Sequence, residues 1–177
     1  MDFLVMLGFI IAVNWLCLTL VWLISLKIKD VGIVDIYWGI GFVIMAWACL
    51  LFNLQGNTSA ISQSQWLINI MVTIWGLRLS FHLAARNLGK EEDYRYAAMR
   101  KKSAGDFRIR SYFKVFMLQG FLQILIIFPV LAIHLYPSAF GLSLFHYLGI
   151  ALWAIGFVYE TAADIQLVKF RSDSTNH

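Results

Sequence analysis

The stretch Ile36–Leu77, IYWGIGFVIMAWACLLFNLQGNTSAISQSQWLINIMVTIWGL, runs for 42 residues without a charge. A helix rises about 1.5 Å per residue and the bilayer hydrocarbon is roughly 30 Å thick, so about 20 residues make one crossing. The run is too long for one span and right for two. It divides at Asn53-Leu54-Gln55-Gly56-Asn57-Thr58-Ser59, a cluster of polar turn-forming residues. Spans are therefore expected near 34–54 and 65–85.

The same reading extends in both directions. Upstream, Phe3–Leu26 holds 24 uncharged residues, and Asp2 stands where a secretory signal would carry a basic region, so this is a span near 3–26 and not a cleaved leader. Downstream, Val115–Tyr159 holds 45 uncharged residues and breaks at Tyr136-Pro137-Ser138-Ala139-Phe140-Gly141, giving spans near 113–135 and 143–168. The whole chain agrees: 60% of its 177 residues are apolar and 14% charged, against roughly 45–50% and 25% in soluble domains. The expected fold is all-α, a polytopic transmembrane bundle of five spans in one domain, residues 1–177.

All 14 Lys and Arg fall on alternate connections. Lys27 and Lys29 follow the first span, ten more lie from Arg78 to Lys114, and Lys169 and Arg171 follow the fifth, while 55–64 and 136–142 carry none. By the positive-inside rule the N-terminus is outside, the C-terminus inside, and the loop 86–112 cytoplasmic. The membrane expected is a bacterial inner membrane, or that of the endoplasmic reticulum in a eukaryotic cell. The net charge of +4 belongs to these loops, and without an aromatic-interleaved basic patch no nucleic-acid partner is expected. Cys17 and Cys49 lack partners at metal or redox spacing, and no P-loop, nucleophile elbow, His-Glu-x-x-His or dinucleotide glycine fingerprint occurs. No metal is expected.

Ionisable residues at membrane depth are candidates for function. Arg78, His82 and Arg86 stand at i, i+4 and i+8, one helical stripe. The stripe reads either as side chains snorkelling to headgroups or as a cationic wall for a phosphate-bearing ligand, which guanidinium forks suit. Glu160 and Asp164, also i and i+4, must face protein or water, hydrogen-bonding a polar ligand or pairing with those arginines. Asp35-Ile36-Tyr37-Trp38-Gly39 opens the second span, as an aromatic anchor or as part of a site. Asn14, Gln119 and Gln123 suit hydrogen bonds between helices, and Pro129 is expected to kink its helix or free a carbonyl one turn back.

Four stretches carry a resemblance: Asp35-Ile36-Tyr37-Trp38-Gly39-Ile40-Gly41-Phe42; Trp75-Gly76-Leu77-Arg78-Leu79 with His82-Leu83 and Arg86-Asn87; Gly89-Lys90-Glu91-Glu92-Asp93-Tyr94-Arg95-Tyr96 with Met99-Arg100 and Val115-Phe116-Met117-Leu118-Gln119; and Gly156, Glu160, Ala163-Asp164-Ile165-Gln166-Leu167 and Phe170. Together they resemble the membrane reductases related to the C-terminal domain of steroid 5α-reductases, in the DUF1295-type branch. Glu91 departs from that pattern, which has glycine there. The resemblance implies an enzyme that takes NADPH from the cytoplasm and passes hydride to a C=C bond of an apolar, lipid or steroid-like substrate. It implies Asp35 or Tyr37 as the catalytic acid, and Arg78, Arg86, Glu160, Asp164 and Arg171 as cofactor contacts. The family continues into a Gly-Leu-Trp-x-Tyr-x-Arg-His-Pro-Asn-Tyr-like stretch and two more helices. This chain stops at Arg171-Ser172-Asp173-Ser174-Thr175-Asn176-His177, so weak NADPH binding and no turnover are expected of it alone. The alternative is a non-catalytic membrane remnant, or an assembly or transport protein.

Overall fold

The computed structural model of the chain describes residues 3–55, 61–103, 106–137 and 141–173. Every regular element among them is helical: α1 (Phe3–Ile28), α2 (Ile33–Gln55), α3 (Gln63–Asn87), α4 (Tyr94–Lys101), α5 (Phe107–Ser111), a π-helical turn (Tyr112–Met117), α6 (Leu118–Leu135) and α7 (Leu144–Ser172). Five helical stretches are long and apolar enough to cross a membrane: α1, α2, α3, the continuous Phe107–Leu135 and α7.

Two boundaries differ from the sequence expectation, each for a physical reason. Asn53, Leu54 and Gln55 belong to α2 and not to a turn, because Asn53 is buried and its amide nitrogen donates to the His134 carbonyl inside the bundle. The rest of that expected turn, Gly56–Ser59, lies outside the described residues, as do Ser138, Ala139 and Phe140 of the second. The fourth span begins at Phe107 instead of 113, because Asp106 caps α5 by accepting from the Arg108 N–H at 2.9 Å and the π-helical turn joins α5 to α6. The connection 86–112 is thus largely helical. Pro129 sits inside α6, which continues through it.

The chain divides into two compact units, residues 1–137 and 138–177. In the first, α1, α2, α3 and α6 form an alternating bundle whose directions follow from cross-contacts. Phe9 packs on Phe52 and the Trp47 indole donates to Thr73, so α2 runs against both α1 and α3. Asn14 donates to the Gly120 carbonyl at 3.0 Å and Gln123 to that of Trp38 at 3.2 Å, tying α6 to α1 and α2. These are the interhelical hydrogen bonds expected of Asn14 and Gln123. Above and below them lie two apolar clusters, one around Met6, Ile10, Phe42, Met45 and Ile127, the other around Leu18, Val34, Tyr37, Val115 and Phe116.

The closest approach is between α2 and α3. A Cβ built on Gly39 would run into the Gly76 carbonyl oxygen, and one on Gly76 into that of Gly39. Small residues that let backbones meet are a general device of membrane helices. Here they bring the Ser80 hydroxyl within 3.0 Å of the Ile40 N–H. The consequence for function is positional: α2 and α3 present their first and last turns, respectively, at one end of the bundle. In the second unit, Ser143 and His146 form the capping box of α7, and Trp153 stacks on Phe157 at 5.1 Å.

Candidate functional site

At the basic end of the first unit, Asp35 stands in the first turn of α2, and Trp38, three residues on, shares its face. With Leu83 and Arg86 of α3, Arg95 of α4 and Gln119 of α6 they line a groove of about 360 Å³. The short α4 is set in place by its own cap. Asp93 accepts from the Arg95 N–H at 2.9 Å, which satisfies one of the open donors at a helix start. The cap also turns Arg95 and Tyr96 toward α2. Tyr96 is buried and donates to Asp35 Oδ1 at 2.9 Å, and Arg95 Nη2 donates to Oδ2 at 3.1 Å.

Arg95 is shared, since its Nε also meets Asp93 at 2.9 Å. The Arg95 hydrogen bond holds the Asp93 carboxyl below the usual carboxylate range, and the Asp93 hydrogen bond raises Arg95 in turn. Burial, then the charge of Asp35, pushes the Tyr96 phenol up and keeps its proton in place. Arg86 differs from Arg95. Its Nε donates to Asn87 Oδ1 at 3.1 Å, and its two terminal nitrogens make no hydrogen bond among the described residues. The groove therefore holds one neutralised guanidinium and one open fork. An open fork is the geometry for two parallel hydrogen bonds to a phosphate or carboxylate.

The family model described as "Protein of unknown function (DUF1295)" matches residues 21–177. The chain belongs to this family. Neither the curated proteins nor the solved structures yield a match. The stretch matched to DUF1295 takes in every groove residue.

The other residues singled out in the sequence are placed as follows. Tyr37 is two positions from Asp35, about 200° around the helix, and packs in the core with Leu18, Val34, Val115 and Phe116 at 7% exposure. Its hydroxyl makes no hydrogen bond among the described residues and has the Cys17 thiol beside it. Asp35 and Tyr37 thus serve opposite faces of α2. Arg78 and His82 lie one turn apart on α3, and both engage neighbouring groups. Glu160 and Asp164, likewise engaged, lie one turn apart on α7, with Arg171 exposed in its last turn; all three belong to the second unit.

Two polar clusters of this DUF1295 chain lie outside the candidate site residues singled out in the sequence. In one, Glu92 receives Arg100 through Nη2 at 2.7 Å and Nε at 3.1 Å, and accepts from the Val31 N–H at 3.1 Å, pinning α4 to the α1–α2 turn. In the other, at the opposite end, Asn53 donates to His134 Nδ1 at 3.2 Å and to the His134 carbonyl at 3.0 Å. Gln65 donates to the same carbonyl at 3.2 Å, and His134 Nε2 donates to Asn69 Oδ1 at 3.1 Å. With Nδ1 accepting, the proton sits on Nε2.

Proposed function

We propose that this DUF1295 protein is an integral membrane reductase of the steroid 5α-reductase type, with its basic end in the cytoplasm and its N-terminus outside. It would use NADPH to reduce a C=C bond of an apolar, lipid or steroid-like substrate. The observation that carries the reading is the groove, where the open Arg86 fork stands with a clamped acid, Asp35, at the mouth of an otherwise apolar bundle. One-sided basic residues support the orientation, and the sequence motifs support the reaction.

At about 360 Å³ the groove lies near the low end of small-molecule sites, roughly 300–1,000 Å³, and suits the phosphate-bearing part of NADPH better than the whole. Arg86 would hold a phosphate, and Gln119 would add a polar contact. Arg78, Glu160, Asp164 and Arg171 are the further contacts that the resemblance implies. NADPH, when bound, supplies the hydride. A conjugated carbonyl accumulates negative charge on its oxygen as the C=C bond is reduced, and a donor placed there lowers the barrier. Tyr37 carries a buried hydroxyl that makes no hydrogen bond among the described residues, on the face of α2 opposite the groove, and we assign it the donor role toward a substrate held between the helices. Asp35 already accepts from Arg95 and Tyr96, so it is a positioning residue that fixes the mouth of the groove.

Calorimetry of the purified protein in detergent, titrated with NADPH and with NADH, tests the assignment. NADPH is expected to bind more tightly than NADH. Arg86→Gln should weaken NADPH at least tenfold, about 1.4 kcal/mol, and weaken NADH less. Tyr37→Phe should leave NADPH affinity unchanged while abolishing whatever turnover of a conjugated steroid enone the unsubstituted protein shows. Equal affinities for the two nucleotides, or full NADPH affinity in Arg86→Gln, would overturn the reading.

A further inference from the structure

A second cavity at the basic end, about 370 Å³, shares no lining residue with the groove. It lies between the end of α1, α4 and α5, and its walls carry Lys29, Arg100 and Arg108 against one carboxylate, Asp106. The three cations are not equivalent. Arg100 is fixed by both oxygens of Glu92 and by the Lys29 carbonyl at 3.3 Å, with its guanidinium 4.5 Å above the Phe107 ring. Arg108 gives its Nε to Asp106 at 3.1 Å, and its terminal nitrogens make no hydrogen bond among the described residues. The Lys29 ammonium has no hydrogen-bond or ion-pair partner among the described residues.

Lys29 carries a second peculiarity. Its φ is +60°, the one positive value among the described non-glycine residues. It follows the last residue of α1, and a left-handed residue at a helix end is where glycine is favoured, because any Cβ is strained there. Strain held at one place in a fold points to a use for the side chain that bears it. The use is read from the surroundings. The Trp22 indole donates to the Arg108 carbonyl at 3.2 Å and packs on Tyr112 at 4.8 Å, an aromatic pair of the kind that marks headgroup depth. Leu26, Val31 and Phe107 give the cavity an apolar wall beside its cations. Basic pockets between membrane helices at this depth suit phosphate-bearing headgroups.

We propose that this cavity binds the phosphate of an anionic ester, with Lys29 and Arg108 closing on its oxygens and Arg100 as the fixed base. A lipid headgroup or a soluble phosphate would present the same group. Calorimetry in a neutral detergent with dihexanoylphosphatidylglycerol, dihexanoylphosphatidylcholine and inorganic phosphate separates the sources. The phosphatidylglycerol is expected to bind at least tenfold more tightly than the phosphatidylcholine. Lys29→Gly should weaken it at least fivefold while leaving the unfolding temperature unchanged or higher, because glycine relieves the left-handed strain. Arg108→Gln should act in the same direction. Lys27→Gln, on an exposed residue outside the cavity, should change affinity less than twofold, and so should Arg86→Gln, which keeps this site separate from the reductase reading. Inorganic phosphate displacing the lipid at micromolar concentration would name a soluble ester as the ligand, and failure to do so below millimolar would name the lipid. Equal binding of the two lipids, or full affinity in a folded Lys29→Gly protein, would overturn the proposal.

Discussion

The two ends of the first unit solve the same problem, polar groups at membrane depth, in opposite ways. At the His134 end the groups are neutral amides and an imidazole, all buried, and hydrogen bonds through His134 join them. At the Asp35 end the groups are charged, half-exposed and arranged around open space. A buried polar network is high-stakes for folding, since each group left unpaired bears its full desolvation penalty. An exposed ion pair contributes little to stability, yet it holds a charged surface in one geometry. On the proposed function, the first arrangement is architecture and the second is equipment for a ligand.

Breaking the closed end should therefore have the largest effect on stability and none on ligand affinity in whatever protein folds. His134→Leu strands the Asn69 oxygen that now meets the imidazole, while the Asn53 amide keeps its bond to the residue-134 carbonyl. At about 1–3 kcal/mol for a stranded buried group, a loss in that range is expected, read by unfolding in detergent. Asn69→Asp would sharpen the test, because it places a formal charge where the network is neutral and should be at least as damaging. A change below about 0.5 kcal/mol in His134→Leu would show that the network is incidental.

At the other end the expected losses are smaller and fall on geometry. Tyr96→Phe removes a hydrogen bond to a carboxylate, worth about 1.5 kcal/mol or slightly more, and frees one side of Asp35. Because Asp35 and Arg95 frame the groove, NADPH affinity should fall along with stability, which is the reverse of the His134 pattern. If Tyr96→Phe lowers stability with no change in affinity, the contrast between the ends disappears.

The five membrane-length helices were legible because the signal is local: an uncharged run of about 20 residues means the same thing wherever it stands. Asn14 and Gln123 were legible as interhelical glue for a similar reason, since a lone amide in an apolar run has few other uses. The groove was only half legible. Asp35 and Arg86 stood out as charges near helix ends, but the partner of Asp35 is 60 residues away on an eight-residue helix that no hydrophobic period announces. Asn53 misled for the converse reason. An asparagine followed by Gln55 and Gly56 reads locally as a turn, and only His134, 81 residues on, makes it a buried helix residue. Gly39 and Gly76 carried no signal beyond the motif, because what each one makes room for is the backbone of the other.

The smallest effect separates charge from capping at Asp93. Its carboxyl is held below the ordinary 3.8 by the Arg95 hydrogen bond. A group whose folded value is depressed stabilises the fold above its unfolded value, and that contribution is lost as pH falls through the folded one. Arg95 is 52% exposed, so solvent screens the pair and the gain is only about 0.2–1 kcal/mol. Asp93→Asn keeps a side-chain oxygen for the cap of α4 but removes the charge. The stability difference between wild type and Asp93→Asn should then be present at about pH 7 and shrink toward zero as pH falls below 3.8 and through the lowered folded value, following the titration of one carboxylate. Asp93→Ala loses the cap as well, about 1 kcal/mol, and that part of its deficit should persist at low pH. Unfolding curves for the three proteins across this range decide between the two roles. A constant gap between wild type and Asp93→Asn would mean that Asp93 acts through its cap alone and that Arg95 is held in the groove by Asp35.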